Sequence, residues 1–394
     1  MQPHQLLRLL CSFTLGFLLC FPAHLQAEEP ETKPQTTTDE LARQFIEEFL
    51  QDHPDRILVI GILDHGKQTF YSAGTTSSGS KPSQQTLFEL GSITKVFTGI
   101  ALASLVNEGA VELDQTIRTL IPAENKLADP IGNITLKQLA THTSGLPRVS
   151  LSTQLKSLVS RQPYGSTRQQ LYANLAMLKK NEPTKSPEYS NYGVSLLGDL
   201  IAKVEGKTFE QVVIDRICTP LNLHNTLEHL NEDQQLLLAP GYFQDDPQKP
   251  WSEMGVGVAA GGFRSSTQEM LQFAAAVLNP PKNALGEAIQ LSLQPLVKKH
   301  GREIRVGLCW HMVSPEGHGG DPKANGELKK NDPPKPQKPL TYYHNGSTFS
   351  HRSGLHIVPE YDFAVVVFVN ETLSDILNPD FVAYKLIETK WQGE

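Results

Sequence analysis

Two apolar runs at opposite ends of the chain constrain its fold most. Residues 56–63 read RILVIGIL and residues 363–370 read FAVVVFVN. Both are short and rich in β-branched side chains, so both read as strands. The turn Asp64-His65-Gly66-Lys67 leads from the first run into a second strand over about 68–72. Segments 340–344 and 349–359 supply two more strands before the last one. Asp39 is placed to cap a helix through about His53, with Leu41, Phe45, Ile46 and Phe49 on one face and Pro54 ending it. A closing helix over 381–391 carries Val382, Leu386 and Ile387. The chain between these β-rich ends is mainly helical and loop-like, without the internal repeat of a solenoid or propeller. The expected fold is therefore α/β of the α+β kind. An antiparallel sheet of N- and C-terminal strands is flanked by helices, and a mainly helical lobe over roughly 110–260 is inserted between them.

Two segments precede the single domain expected over 39–394, and a third is inserted within it. Arg8 precedes an apolar run, residues 9–21, that is too short to span a bilayer but suits the core of a secretory signal. Cleavage after Ala27 makes 1–27 a signal peptide and predicts a periplasmic or secreted protein with no stable membrane span. The alternative, an uncleaved anchor, lacks a following stop-transfer pattern. Residues 28–38, rich in Glu, Pro, Thr and Gln, read as a disordered linker. Residues 314–338, dense in Gly, Pro, Lys and Asp, read as a surface loop insertion. Cys11 and Cys20 leave with the signal; Cys218 and Cys309 remain, and spacing does not tell whether they pair. With a formal net charge of −7 and no basic run, the composition argues against a nucleic-acid partner.

Chemistry begins at Ser92-Ile93-Thr94-Lys95. Ile93, Val96, Phe97, Ile100 and Leu105 recur at helical spacing, which puts Ser92 at the start of a buried helix with Gly109 as its C-terminal cap. Residues three apart share a helical face, so Lys95 lies beside Ser92. A lysine in a desolvated pocket can relieve a serine of its proton, and the helix N-terminus favours a nearby oxyanion. An isolated S-x-x-K is more often a capping serine followed by a solvated lysine. Here Lys95 sits inside an otherwise apolar segment, where a lysine without a role is costly.

Two further motifs follow. Pro187 to Gly193 reads PEYSNYG and precedes an apolar helical run, 194–204. Tyr189 and Asn191, two apart in an extended or loop segment, project the same way; a phenolate near an ammonium can act as a base, and Asn191 can bond a substrate amide. Taken alone, Tyr-Ser-Asn is also an ordinary helix-entry loop. His344-Asn345-Gly346-Ser347 ends a strand. Gly346 lets a ligand backbone approach, and the Ser347 N–H is placed to join that of Ser92 as a pair of oxyanion donors.

With these three motifs in this order, the chain resembles the class C β-lactamase and DD-peptidase family of serine penicillin-recognising enzymes. The stretches 88–99 (FELGSITKVFTG), 139–147 (LATHTSGLP), Gly261-Gly262-Phe263 with Ser266-Thr267, and Gly307-Leu308-Cys309-Trp310 add to the likeness, which covers roughly 40–392. The resemblance implies a β-lactamase/transpeptidase-like fold, with Ser92 as nucleophile, Lys95 as its partner and Tyr189 as the acid/base group. It further implies that Asn191 orients the substrate, and that His344, Gly346 and Ser347 line the strand binding the carboxylate side. The departure lies in the third motif. His-Asn-Gly stands where class C β-lactamases carry Lys-Thr-Gly, so a permanent charge becomes a titratable one. A histidine there is similar to what some DD-peptidases carry.

Export and His344 favour a penicillin-binding D-alanyl-D-alanine carboxypeptidase/endopeptidase acting on peptidoglycan peptides. The alternatives are a class C-like β-lactamase hydrolysing β-lactams, an esterase on the same fold, and a non-catalytic peptidoglycan or penicillin binder. A metallohydrolase is disfavoured, since the thirteen histidines form no H-E-x-x-H motif. No G-x-S-x-G elbow supports an α/β-hydrolase. The expected ligands are a D-Ala-D-Ala peptide or a β-lactam, with no cofactor and no metal.

Overall fold

The structure, a computed structural model, describes residues 36–149, 166–179, 182–252, 254–300, 304–313, 339–372 and 378–393. The signal segment 1–27, the linker up to residue 35 and the loop insertion 314–338 lie outside the described residues.

Helix α1 spans Thr38–Asp52. Its cap is Thr37 rather than Asp39: the Thr37 hydroxyl accepts the Glu40 N–H while the Glu40 carboxylate accepts that of Thr37. Asp39 instead accepts a hydrogen bond from the Tyr71 hydroxyl at 2.6 Å, a tertiary contact that outcompetes the local one. The folded chain thus reaches into the segment expected to be a linker.

Two strands, β1 (Leu58–Asp64) and β2 (Lys67–Ala73), form a hairpin across the expected turn. Helix α2 runs from Thr94 to Asn107, α3 from Asn191 to Glu205 and α4 from Thr267 to Leu278. Short strands β3 (Val297–Lys298), β4 (Ile304–Val306) and β5 (His311–Val313) precede the C-terminal strands β6 (Thr341–Ser347), β7 (Arg352–Val358) and β8 (Phe363–Val369). Helix α5, Pro379–Gly393, closes the chain.

The eight strands form one antiparallel sheet in the order β2-β1-β8-β7-β6-β5-β4-β3. The last strand lies in the interior of the sheet, paired with β1 from Leu58↔Val369 to Asp64↔Phe363. That position explains the unbroken apolar run. Phe363, Val365, Val367 and Val369 face α1 and α5, packing with Phe45, Phe49, Leu386 and Ile387. Ala364, Val366 and Phe368 face the opposite core, which includes α2 and α4.

Helix α2 is the hub of that second core. Every residue from Thr94 to Leu105 is buried, so it has no polar face and behaves as a core helix rather than a surface one. The lobe helix α3 is capped by Ser190, whose hydroxyl accepts the Gly193 N–H, and ends at Gly206 in the left-handed conformation. Cys218 and Cys309 are both buried and free, so they do not pair. Among the described residues no helix is long and apolar enough to cross a membrane.

Candidate active site

Ser92 lies in a single 3-10 turn, Gly91–Ile93, that feeds directly into α2. Gly91 has φ +50, and a Cβ there would come within 2.8 Å of the Ser347 nitrogen. Only glycine lets this turn and the end of β6 approach so closely. Gly346 has the same effect on the strand side, where a Cβ would collide with the Leu90 carbonyl. The backbone nitrogen of Ser347 is thereby held against the Ser92 turn, the arrangement a pair of oxyanion donors needs.

Around Ser92 Oγ the structure brings together two side chains. Lys95 Nζ lies 3.0 Å away, and the Tyr189 hydroxyl donates to Oγ at 2.6 Å. Lys95 also donates to the Ala260 carbonyl and is fully buried. Burial lowers its ammonium from 10.5 to about 7, and the positive charge of Arg148 pushes the same way. Burial raises the Tyr189 phenol above its ordinary value, against the lowering effects of the Ser92 hydrogen bond and of Arg148. Near neutral pH the group thus holds a lysine able to lose its proton and a tyrosine that keeps its own. A phenolate base, one option from the sequence, is the less favoured state.

Asn191 is the first residue of α3 rather than part of an extended segment, because Ser190 caps the helix between it and Tyr189. Its side-chain Oδ1 is buried with no hydrogen-bond partner among the described residues, and Asn191 lines a cavity of about 200 Å³ that opens on Ser92. Trp251, Met254, Val256 and Phe349 supply apolar walls, and Ser347 closes the sheet side. The backbone of Trp251 is braced by Glu89, which accepts the Trp251 main-chain N–H at 2.5 Å and the Ser350 hydroxyl at 2.6 Å. Burial opposes charge on Glu89, but His351 and Arg264 hold its carboxyl down at about 2.

His344 sits differently from a charge-bearing substrate contact. Its ring is buried, and Nδ1 donates to the Asn345 carbonyl at 2.7 Å, leaving Nε2 without a hydrogen-bond partner among the described residues. It packs 5.0 Å from the ring of His311 and 6.4 Å from Tyr189, and His142 lies 4.6 Å from Tyr189 on another side. Burial first, then His311 and Lys95, hold the His344 imidazole well below its ordinary range. Burial brings His311 down to about 4. Burial thus favours the neutral form of His344, against the expectation of a positive charge at this position. Asn345 turns the other way and donates to Asp380 at 2.5 Å.

Sequence reasoning passed over His142, Arg148, Glu89, Trp251 and His311. His142 lies within the quoted LATHTSGLP stretch and Arg148 follows it directly, the one available signal for them.

The sequence profile of the Beta-lactamase family matches residues 42–384. The chain belongs to this family. It is a serine hydrolase by that membership. It is 26% identical over 329 residues to a "Beta-lactamase" of Escherichia coli (strain K12), covering 80% of this chain and 84% of that protein. It is also 26% identical over 255 residues to the "D-alanyl-D-alanine-carboxypeptidase/endopeptidase AmpH" of the same strain, covering 63% of this chain and 64% of that one. Among solved structures, the "Beta-Lactamase/D-Alanine Carboxypeptidase from Pseudomonas syringae" superposes with a TM-score of 0.74 at 24% identity, over 90% of this chain and 98% of that one. A class C beta-lactamase in complex with cefoxitin gives 0.75 at 22% identity, over 89% and 98%. These structural likenesses establish the shared fold, with its large antiparallel sheet and flanking helices.

Proposed function

We propose that the chain is a D-alanyl-D-alanine carboxypeptidase/endopeptidase that works through an acyl-enzyme on Ser92 and is acylated at the same atom by β-lactams. The observation that carries this reading is the convergence of Lys95 Nζ and the Tyr189 hydroxyl on Ser92 Oγ. Lys95, as the free amine, takes the Ser92 proton while Oγ bonds to the scissile carbonyl carbon. The oxyanion rests between the N–H groups of Ser92 and Ser347. As the C–N bond breaks, Tyr189 gives its proton to the departing amine, and the Lys95 ammonium restores the phenol. Water then repeats the sequence on the ester, releasing the acid and Ser92. Asn191, which lines the cavity beside Ser92, orients the acyl side of the substrate. His344, Gly346 and Ser347 form the opposite wall, where His344 acts as a neutral group.

The absence of a permanent cation from β6, with the relationship to AmpH, supports the peptidase over the β-lactamase. The relatives named beta-lactamase keep hydrolysis of β-lactams as the second reading. Export by the 1–27 segment would carry the enzyme to peptidoglycan.

Intact mass spectrometry decides among these. A peptidase forms a long-lived penicillin adduct on Ser92 and releases D-Ala from a D-Ala-D-Ala peptide. Tyr189→Phe slows acylation on the order of a hundredfold. Penicillin adducts on a Ser92→Ala protein would overturn the nucleophile. Rapid penicillin turnover with no D-Ala release would replace the peptidase by a β-lactamase.

A further inference from the structure

Both expected ligands carry a carboxylate on the leaving-group side of the scissile carbonyl. In a D-Ala leaving group the carboxyl carbon lies about 2.5 Å from the nitrogen that departs. Tyr189 is the group that protonates that nitrogen in the proposed reaction, so the carboxylate arrives beside Tyr189. A cation is needed there, and the third motif does not supply one. His344 is buried and neutral, Asn345 is turned to Asp380, and Lys95 is fully buried against Ser92 and the Ala260 carbonyl.

One exposed cation does meet this position. The guanidinium of Arg148 lies over the Tyr189 ring, its central carbon 5.2 Å from the ring centroid. Its backbone is fixed, because the Arg148 carbonyl accepts the N–H groups of Asn191 at 3.0 Å and Tyr192 at 3.2 Å. The first turn of α3 thus ties Arg148 to the same motif that carries Tyr189 and Asn191. The side chain is exposed, and no carboxylate pairs with it among the described residues. A planar guanidinium on an anchored backbone can take a carboxylate in two parallel hydrogen bonds.

We infer that Arg148 is the residue that reads the substrate's carboxylate, in place of a cation on β6. This rests on the acyl-transfer reading of Ser92. It predicts a specificity: substrates ending in a free carboxylate are preferred over their amides or esters, and Arg148 sets that preference.

The test compares wild type, Arg148→Gln and Arg148→Lys on two matched pairs. One pair is a D-Ala-D-Ala peptide and its C-terminal carboxamide, read as kcat/KM. The other is a penicillin and its methyl ester, read as the rate of Ser92 acylation by intact mass. Arg148→Gln should lower the rate on the free acids on the order of ten- to a hundredfold, the loss of a charged hydrogen-bond pair. The loss should be clearly larger on the acids than on their uncharged partners, and Arg148→Lys should recover part of it. An equal loss on acid and uncharged partner would overturn the inference, because Arg148 would then act only through the charge states of Lys95 and Tyr189. An undiminished acid preference would overturn it too. If wild type is acylated by penicillin but leaves the peptide intact, the peptidase reading fails alone, and the acid–ester pair still decides Arg148. If neither ligand acylates Ser92, both fall.

Discussion

Replacing Lys95 with methionine should make the protein more stable while removing its acylation chemistry. Lys95 is fully buried, and burial brings its ammonium from 10.5 to about 7. At about 1.4 kcal/mol per pH unit, that difference corresponds to roughly 5 kcal/mol of folding free energy lost to hold this lysine inside. Methionine has nearly the same shape and no charge to desolvate. It abandons the Ala260 carbonyl, which costs about 1–3 kcal/mol. The variant should therefore gain roughly 2–4 kcal/mol below pH 7. The sign of the pH dependence is fixed. Between 7 and 10.5 the unfolded chain binds a proton that the folded protein does not, so the penalty shrinks as pH rises. At pH 9 it is down to roughly 2 kcal/mol, where the lost hydrogen bond cancels most of the gain. Urea unfolding of both proteins at pH 6 and pH 9 measures this directly, and packing changes drop out because they do not depend on pH. A stability difference that is the same at both values would refute the reasoning, whatever its size.

Two other outcomes follow from the same geometry. Acylation of Ser92 should accelerate as pH rises through about 7 and level off above it, since the ammonium below that value cannot accept the serine proton. A stopped-flow profile with a chromogenic cephalosporin that stays flat from pH 5 to 9 would remove Lys95 as the base. Gly91→Ala should leave a folded protein whose acylation is slower on the order of a hundredfold. A methyl at that position would come within 2.8 Å of the Ser347 nitrogen and push the two oxyanion donors apart. Near-normal acylation with an unchanged circular dichroism spectrum would show that the close approach has no catalytic weight.

The features of this protein legible in its sequence are those written in periodicity or in residues out of place. An unbroken apolar strand is legible because β8 is buried on both faces, and Lys95 is legible because nothing else in its helix is charged. Features decided by tertiary contact were not. Thr37 caps α1 because Asp39 is drawn to Tyr71 from another element, a competition no local pattern records. The burial of His344 depends on His311 and Tyr189, which arrive from distant segments. The Ala260 carbonyl that holds Lys95 is backbone and has no side-chain signature at all. The strands β3 to β5 at the sheet's far edge are two or three residues long, below what alternation can reveal.

The interior position of β8 bears on how the chain is made. A ribosome emits β1 and β2 early, and the hairpin they form has one edge that only residues 363–369 can cover. Until those residues emerge, the backbone groups of LVIGILD stay open to any other extended chain. A truncated product therefore cannot settle into a smaller version of the fold. It presents a sticky apolar edge and becomes a substrate for chaperones and proteases. Nonsense mutations ahead of residue 363 should accordingly yield no partly active fragments. Separately expressed C-terminal pieces containing β6 to β8 have a strand-shaped vacancy to fill, which makes the hairpin a natural candidate for a split-protein reporter.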